Sequence, residues 1–148
     1  MLNARSSSAK PLRLGFVVGL AFVSSTAFAE EPPPPPPEAQ AVVADQLEAF
    51  ARDDATVAWQ LAAPEIREKF ATASDFIGMV KTKYGPVYRH RSVDFGHAAR
   101  KGDEIGMEAT IVSEDNEVWS VVFLLSKQSD GAWRTSGCML QKAPQTSV

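Results

Sequence analysis

From Glu38 onward the chain is written first in a helical and then in an extended rhythm. Val43, Leu47, Phe50 and Ala51 recur at helical spacing, with Asp45, Glu48 and Arg52 elsewhere, which predicts an amphipathic helix from Glu38 to about Ala51. Asp53 and Asp54 break it. Either carboxylate is suited to cap a second, shorter helix through Ala55, Val57, Trp59 and Leu61, by accepting the free backbone N–H groups of its first turn. Pro64 biases Ala63 away from helix and fits a helical first turn, so a short turn is expected to run to Phe70. Ser74 is expected to cap a third helix, with Asp75 in its first turn and Phe76, Ile77, Met79 and Val80 as its apolar content. Lys81 and Lys83 complement the dipole of its last turns, and Tyr84-Gly85-Pro86 ends it with a glycine stop and a proline block.

After Pro86 the period becomes extended. Val87 to Phe95 reads as a strand and His97 to Gly102 as a polar connection. Glu104 to Ser113 reads as a second strand, with Ile105, Met107, Ala109 and Ile111 on one face and Glu104, Glu108 and Thr110 on the other. Asp115 and Asn116 turn into a long hairpin. Its first strand is the β-branched and aromatic run Val118 to Leu125; Lys127 to Gly131 supplies a turn with an Asp-Gly pair, and Ala132 to Leu140 returns. The sum is an α+β fold: three N-terminal helices packed on one face of a four-stranded antiparallel meander sheet.

Composition changes the picture at the N-terminus. Arg5, Lys10 and Arg13 precede an apolar run of ten positions, Leu14 to Val23, and Ala27-Phe28-Ala29 fits the small-x-small cleavage rule, so residues 1–29 read as an export signal removed after Ala29. The run is shorter than the roughly 20 residues that cross a bilayer, so no stable membrane anchor is expected after cleavage. The protein is then periplasmic or secreted. Glu30 to Pro37, with its six consecutive prolines, reads as a stiff polyproline spacer, 38–142 as the folded domain and 143–148 as a tail. Removing 29 of the 148 residues takes away three of the 15 basic residues and none of the 18 acidic ones, so the net charge falls from −3 to −6. Such a surface repels phosphate backbones and argues against nucleic acid as a partner. Cys138 has no second cysteine to pair with, and His90 and His97 lack companions at zinc spacing, so no metal and no organic cofactor is expected.

Several strings carry a likeness: Gln46-Leu47 with Ala49-Phe50 and Asp53-Asp54; Pro64-Glu65-Ile66-Arg67 with Phe70; Met79-Val80; Tyr84 with Pro86-Val87-Tyr88-Arg89; Ser92-Val93 with Phe95-Gly96; and Asp130-Gly131 with Trp133-Arg134 and Gly137-Cys138. Together with the element order they resemble the nuclear transport factor two-like superfamily, and within it a family of short exported bacterial proteins known only as a domain of unknown function. The resemblance implies a curved sheet closed by helices into a cone-like roll with a pocket. It implies no reaction, because that scaffold hosts isomerases, dehydratases and binding modules alike.

In such a cone Trp59, Phe70, Met79, Tyr84, Trp119 and Phe123 are the pocket candidates, although aromatic and methionine side chains at these spacings equally serve packing. For catalysis, Tyr88, His90 and Asp94 are the one local set that unites donor, base and acid, and they project to one side if the strand is regular. The six cations Lys81, Lys83, Arg89, Arg91, Arg100 and Lys101 either meet an anionic surface or face acids such as Asp103, Glu104 and Glu117 across neighbouring strands. The reading is a non-catalytic binding or interaction module for a small molecule or protein, with a homodimer through the uncovered sheet face as one form. The alternatives are a cofactor-free isomerase or dehydratase-like enzyme and a component of a larger envelope assembly.

Overall fold

The computed structural model describes residues 34–144. The stretch read as an export signal, half of the stretch read as a spacer (residues 30–33) and residues 145–148 lie outside the described residues. Among those described, no helix is long and apolar enough to cross a membrane.

The helices are α1 (Pro37–Ala51), α2 (Ala55–Gln60), α3 (Pro64–Arg67), α4 (Ala73–Lys83) and α5 (Gly85–Tyr88); the strands are β1 (His90–Lys101), β2 (Glu104–Ser113), β3 (Val118–Lys127) and β4 (Trp133–Lys142). The strands form one open antiparallel sheet in the order β1-β2-β3-β4. α2, α3 and α5 are each six residues or shorter, too short to persist alone, so their conformation depends on packing.

Register explains which sheet face is covered. Met107 pairs with Phe123 and Phe123 with Cys138, while Ala109 pairs with Val121 and Val121 with Leu140; these side chains point toward the helices. Ile105, Met107, Ile111, Val121, Phe123 and Leu125 are buried there together with Val43, Leu47 and Phe50 of α1. The opposite face carries Glu108, Thr110, Ser120, Val122, Leu124 and Met139 and has no helix over it among the described residues. On that face Leu124 lies over Gly137, where an added Cβ would stand 3.2 Å from Leu124 Cδ1.

The structure corrects three local expectations. Val87 and Tyr88 are helical rather than the start of a strand, because Pro86, with φ preset for a first helical turn, starts α5 as readily as it blocks α4. β1 continues through His97 to Lys101 where a polar connection was expected; as an edge strand it needs few apolar positions, and Ala98 alone among its residues is buried. The turn is confined to Gly102-Asp103, with Gly102 at φ +61°.

The third concerns a cap. Thr72, not Ser74, precedes α4 in extended conformation and accepts from the Asp75 N–H at 3.1 Å, while its hydroxyl donates to the Asp75 carboxylate at 2.8 Å. Both residues are competent caps, but Thr72 has an acid three positions on. Thr72→Ala should therefore cost about 1 kcal/mol in urea unfolding, and Ser74→Ala less than about 0.5 kcal/mol; the reverse order would restore Ser74 as the cap. At the next boundary Asp54 takes the capping role, accepting from the Val57 N–H at 3.1 Å, which releases Asp53 for other contacts.

Candidate functional site

Between α4 and β4 the two layers leave a pocket of about 110 Å³. α1 contributes Gln46 and Phe50, α4 contributes Phe76, Met79 and Val80, and Phe123 and Cys138 form the sheet side, with Tyr84 and Ile66 at the half-buried rim. The pocket sits over an irregularity in β4. Leu125 pairs with Thr135 but Leu124 with Gly137, so Ser136 is an extra residue, a bulge that locally bends the strand beside the point where Thr135 bonds Leu61 and Ala63.

Of the candidates named from sequence, Met79, Tyr84 and Phe123 line this pocket. Trp59 and Phe70 stand behind it. With Phe76 they form an edge-to-face cluster, ring centroids 5.5 to 6.3 Å apart, that holds Phe76 in the wall. Trp119 lies elsewhere, paired with Ile111 and Lys142 at one end of the sheet, its ring beneath the Lys142 ammonium at 5.8 Å. Gln46, Phe50, Ile66, Thr135 and Cys138 were not anticipated. Gln46 does leave a trace in the sequence, as a polar residue inside the apolar stripe Val43, Leu47, Phe50.

No charged side chain lines the pocket, and two of its polar donors are engaged with backbone: Gln46 Nε2 donates to the Ala58 carbonyl at 2.9 Å and the Thr135 hydroxyl to the Leu61 carbonyl at 3.2 Å. Burial pushes the Cys138 thiol up to about 12, so at neutral pH it is a packing group rather than a nucleophile.

Tyr88, His90 and Asp94 do not converge, and the expectation that they share one side of a regular strand is overturned. Tyr88 belongs to α5 and is buried, its hydroxyl donating to Asp53. A register shift between His90 and Ser92 breaks the alternation at the start of β1, and His90 Nδ1–H donates to the Val87 carbonyl at 2.9 Å. Asp94 is exposed on the uncovered face, in a shallow depression with Gly96, Glu108 and Ser120.

Asp53, at φ +58°, instead organises a polar clasp joining the α1–α2 turn to α4 and α5. Its carboxylate accepts from Tyr88 and from Arg89 Nη2 at 2.9 and 3.1 Å, and Lys81 Nζ stands 3.7 Å away. Arg89 and Lys81 also lie over the Tyr88 ring, at 4.8 and 5.1 Å from its centroid. Thus two of the six cations are spent on Asp53; Arg91 bonds Asn116, and Arg100 bonds the Gly102 carbonyl, rather than acids on neighbouring strands. Among the described residues no group of three His, Cys, Asp or Glu is placed to hold a metal ion.

The clasp sets a pH dependence at both ends. The Tyr88 hydroxyl and then Arg89 hold the Asp53 carboxyl below its ordinary 3.8, so its contribution is complete above about pH 4 and lost as pH falls through the lower folded value. Burial, and then Asp53, raise the Tyr88 phenol from 10 to about 12; the neutral form is favoured by folding, and that stabilisation is lost as pH rises from 10 through 12. Melting curves from pH 2 to 12.5 should show Asp53→Asn flattening the acid limb and Tyr88→Phe the alkaline limb. Limbs unchanged in both variants would contradict the clasp.

A family described as "Domain of unknown function (DUF4864)" matches residues 35–148. A search of curated proteins gives no match.

Proposed function

The chain belongs to this family of unknown function, and from the site above we propose that it is a non-catalytic binding module that holds a small molecule between α4 and β4. The observation that carries the reading is the pocket itself: room for one small ring or a short branched chain, walls mostly of aromatic and aliphatic side chains, and no charged group among them. Such a site gains affinity by taking apolar surface out of water. Isomerase or dehydratase chemistry asks for a base and a donor within reach of the same substrate atom, and Tyr88, His90 and Asp94 are instead spread over two elements and two environments. A thermal-shift screen of the full chain tests this. Neutral aromatic and branched aliphatic fragments should raise the melting temperature with concentration, and charged fragments of the same size should not. Insensitivity to every compound would contradict it.

A second reading concerns partners. The uncovered sheet face presents Met139 at 55% and Val118 at 44% exposure with the half-buried Val112, Val122 and Leu124, apolar positions set among Glu108, Thr110 and Ser120 in the mixed pattern of a two-fold contact with a second copy. Sedimentation should find a dimer that Met139→Lys converts to monomer; a monomeric wild type contradicts it.

We also place the fold in the nuclear transport factor two-like superfamily and the protein outside the cytoplasm. A helical layer on one face of a bulged meander, with a pocket between, supports the first. The basic start, the apolar run and Ala27-Phe28-Ala29 support the second. Mature protein should begin at Glu30 by N-terminal sequencing; a retained Met1 would refute export by cleavage.

A further inference from the structure

The pocket is not chemically blank, and the difference lies in one atom. Gln46 is 6% exposed and sits within the apolar stripe of α1. Its Nε2 donates to the Ala58 carbonyl, and because a carbonyl only accepts, this bond fixes which arm of the amide is nitrogen and turns Oε1 the other way. Among the described residues no donor reaches Oε1. Nor is it sealed off: the side-chain polar atoms that are both fully enclosed and without a partner are Arg67 Nε and Trp119 Nε1. Gln46 is one of the residues lining the pocket, so an amide oxygen without a protein donor belongs to the cavity wall.

An apolar ligand that fills the pocket cuts this oxygen off from water and leaves it unpaired, so the site discriminates for molecules that bring a donor. Size and charge narrow the class further. An apolar cavity of roughly 150 Å³ takes up benzene; about 110 Å³ with a half-buried rim at Tyr84 and Ile66 suits one small ring or a short branched chain. A carboxylate or ammonium would be desolvated there with no countercharge.

Resting on the pocket reading above, we propose that the ligand is a small, uncharged, mostly apolar molecule carrying one O–H or N–H donor, which bonds Gln46 Oε1 while its body packs on Phe50, Phe76, Met79 and Phe123. The recognition is therefore by polarity at a single point. Tyr84 closes the rim, and the ligand needs no metal, no ion partner and no covalent step.

Phenol, toluene, anisole and benzoate serve as probes, titrated into the full chain by calorimetry. Phenol should bind about tenfold more tightly than toluene, a factor of the size one hydrogen bond supplies. Anisole, which keeps the oxygen and lacks the donor, should bind like toluene, and benzoate not at all. Gln46→Met should bring phenol and toluene to equal affinity, and Met79→Trp, which fills the space while keeping the Gln46 amide, should remove both. Equal binding of phenol and toluene to the wild type overturns the donor inference and leaves the pocket standing. Binding of neither contradicts the pocket itself. A preference for phenol that survives in Gln46→Met overturns the assignment to that residue; if this variant does not fold, anisole binding like phenol in the wild type does the same.

Discussion

Tyr88→Ala should lower the melting temperature of the full chain by roughly 10–20 °C, the counterpart of losing about 3–5 kcal/mol in a domain of this size. Tyr88 is only 1% exposed, and its ring tilts against Phe50 at 5.4 Å between centroids while Arg89 and Lys81 cover it on the polar side. α5 is four residues long and buries only Val87 and Tyr88, so half of its anchorage goes with the ring. A single turn cannot persist on backbone hydrogen bonds alone, and the junction of α4, α5 and β1 should loosen as a unit. Tyr88→Phe keeps the ring and removes the bond to Asp53, so its effect should be clearly smaller. Calorimetric melts of both variants check this, and equal losses would mean that the hydroxyl rather than the ring carries the junction.

Phe123→Ala should cost about 3–4 kcal/mol and at the same time deepen the pocket. Phe123 is buried at the centre of β3, between Met107 and Cys138 in the register, and its ring forms the sheet side of the cavity. Removing it takes away packing and leaves a hole lined by apolar atoms, which a ligand can refill. Toluene at about 100 times its dissociation constant should return roughly 2.7 kcal/mol to the variant. Urea titrations with and without toluene measure both quantities. A variant destabilised as expected but indifferent to toluene would mean that the hole collapses and that Phe123 is core alone.

β2 was legible because it is covered on one face only, so burial imprints a period of two: Ile105, Met107, Ala109 and Ile111 inside, Glu104, Glu108 and Thr110 outside; the β3–β4 hairpin was legible from its β-branched and aromatic run and its Asp-Gly turn. The same logic fails on β1. An edge strand with one neighbour is held by backbone bonds to β2, and His97 to Lys101 can be polar without penalty. Val87 and Tyr88 are β-formers by composition, yet the fixed φ of Pro86 and the contacts of Tyr88 with Phe50 and Asp53 override that tendency.

The pocket was legible only in part, for a geometric reason. Periodicity says which side chains face inward, and so it found Met79 and Phe123; it does not say which inward positions border a gap. Trp59 and Phe70 point inward yet meet other rings, whereas Gln46, Thr135 and Cys138 border the gap, the last two on either side of the bulge at Ser136, which no periodicity announces. The set Tyr88, His90 and Asp94 failed because it assumed a regular strand across a helix terminus and a register shift.

Methionine methyl groups place the binding site most directly. Met79 lines the pocket, Met107 is in the core and Met139 stands on the uncovered face of the sheet. With 13C-methyl methionine in the full chain, titration with toluene should move the Met79 resonance strongly and leave Met139 where it was. Movement of Met139 with Met79 unchanged would put the ligand on the open sheet face and contradict a binding site between α4 and β4.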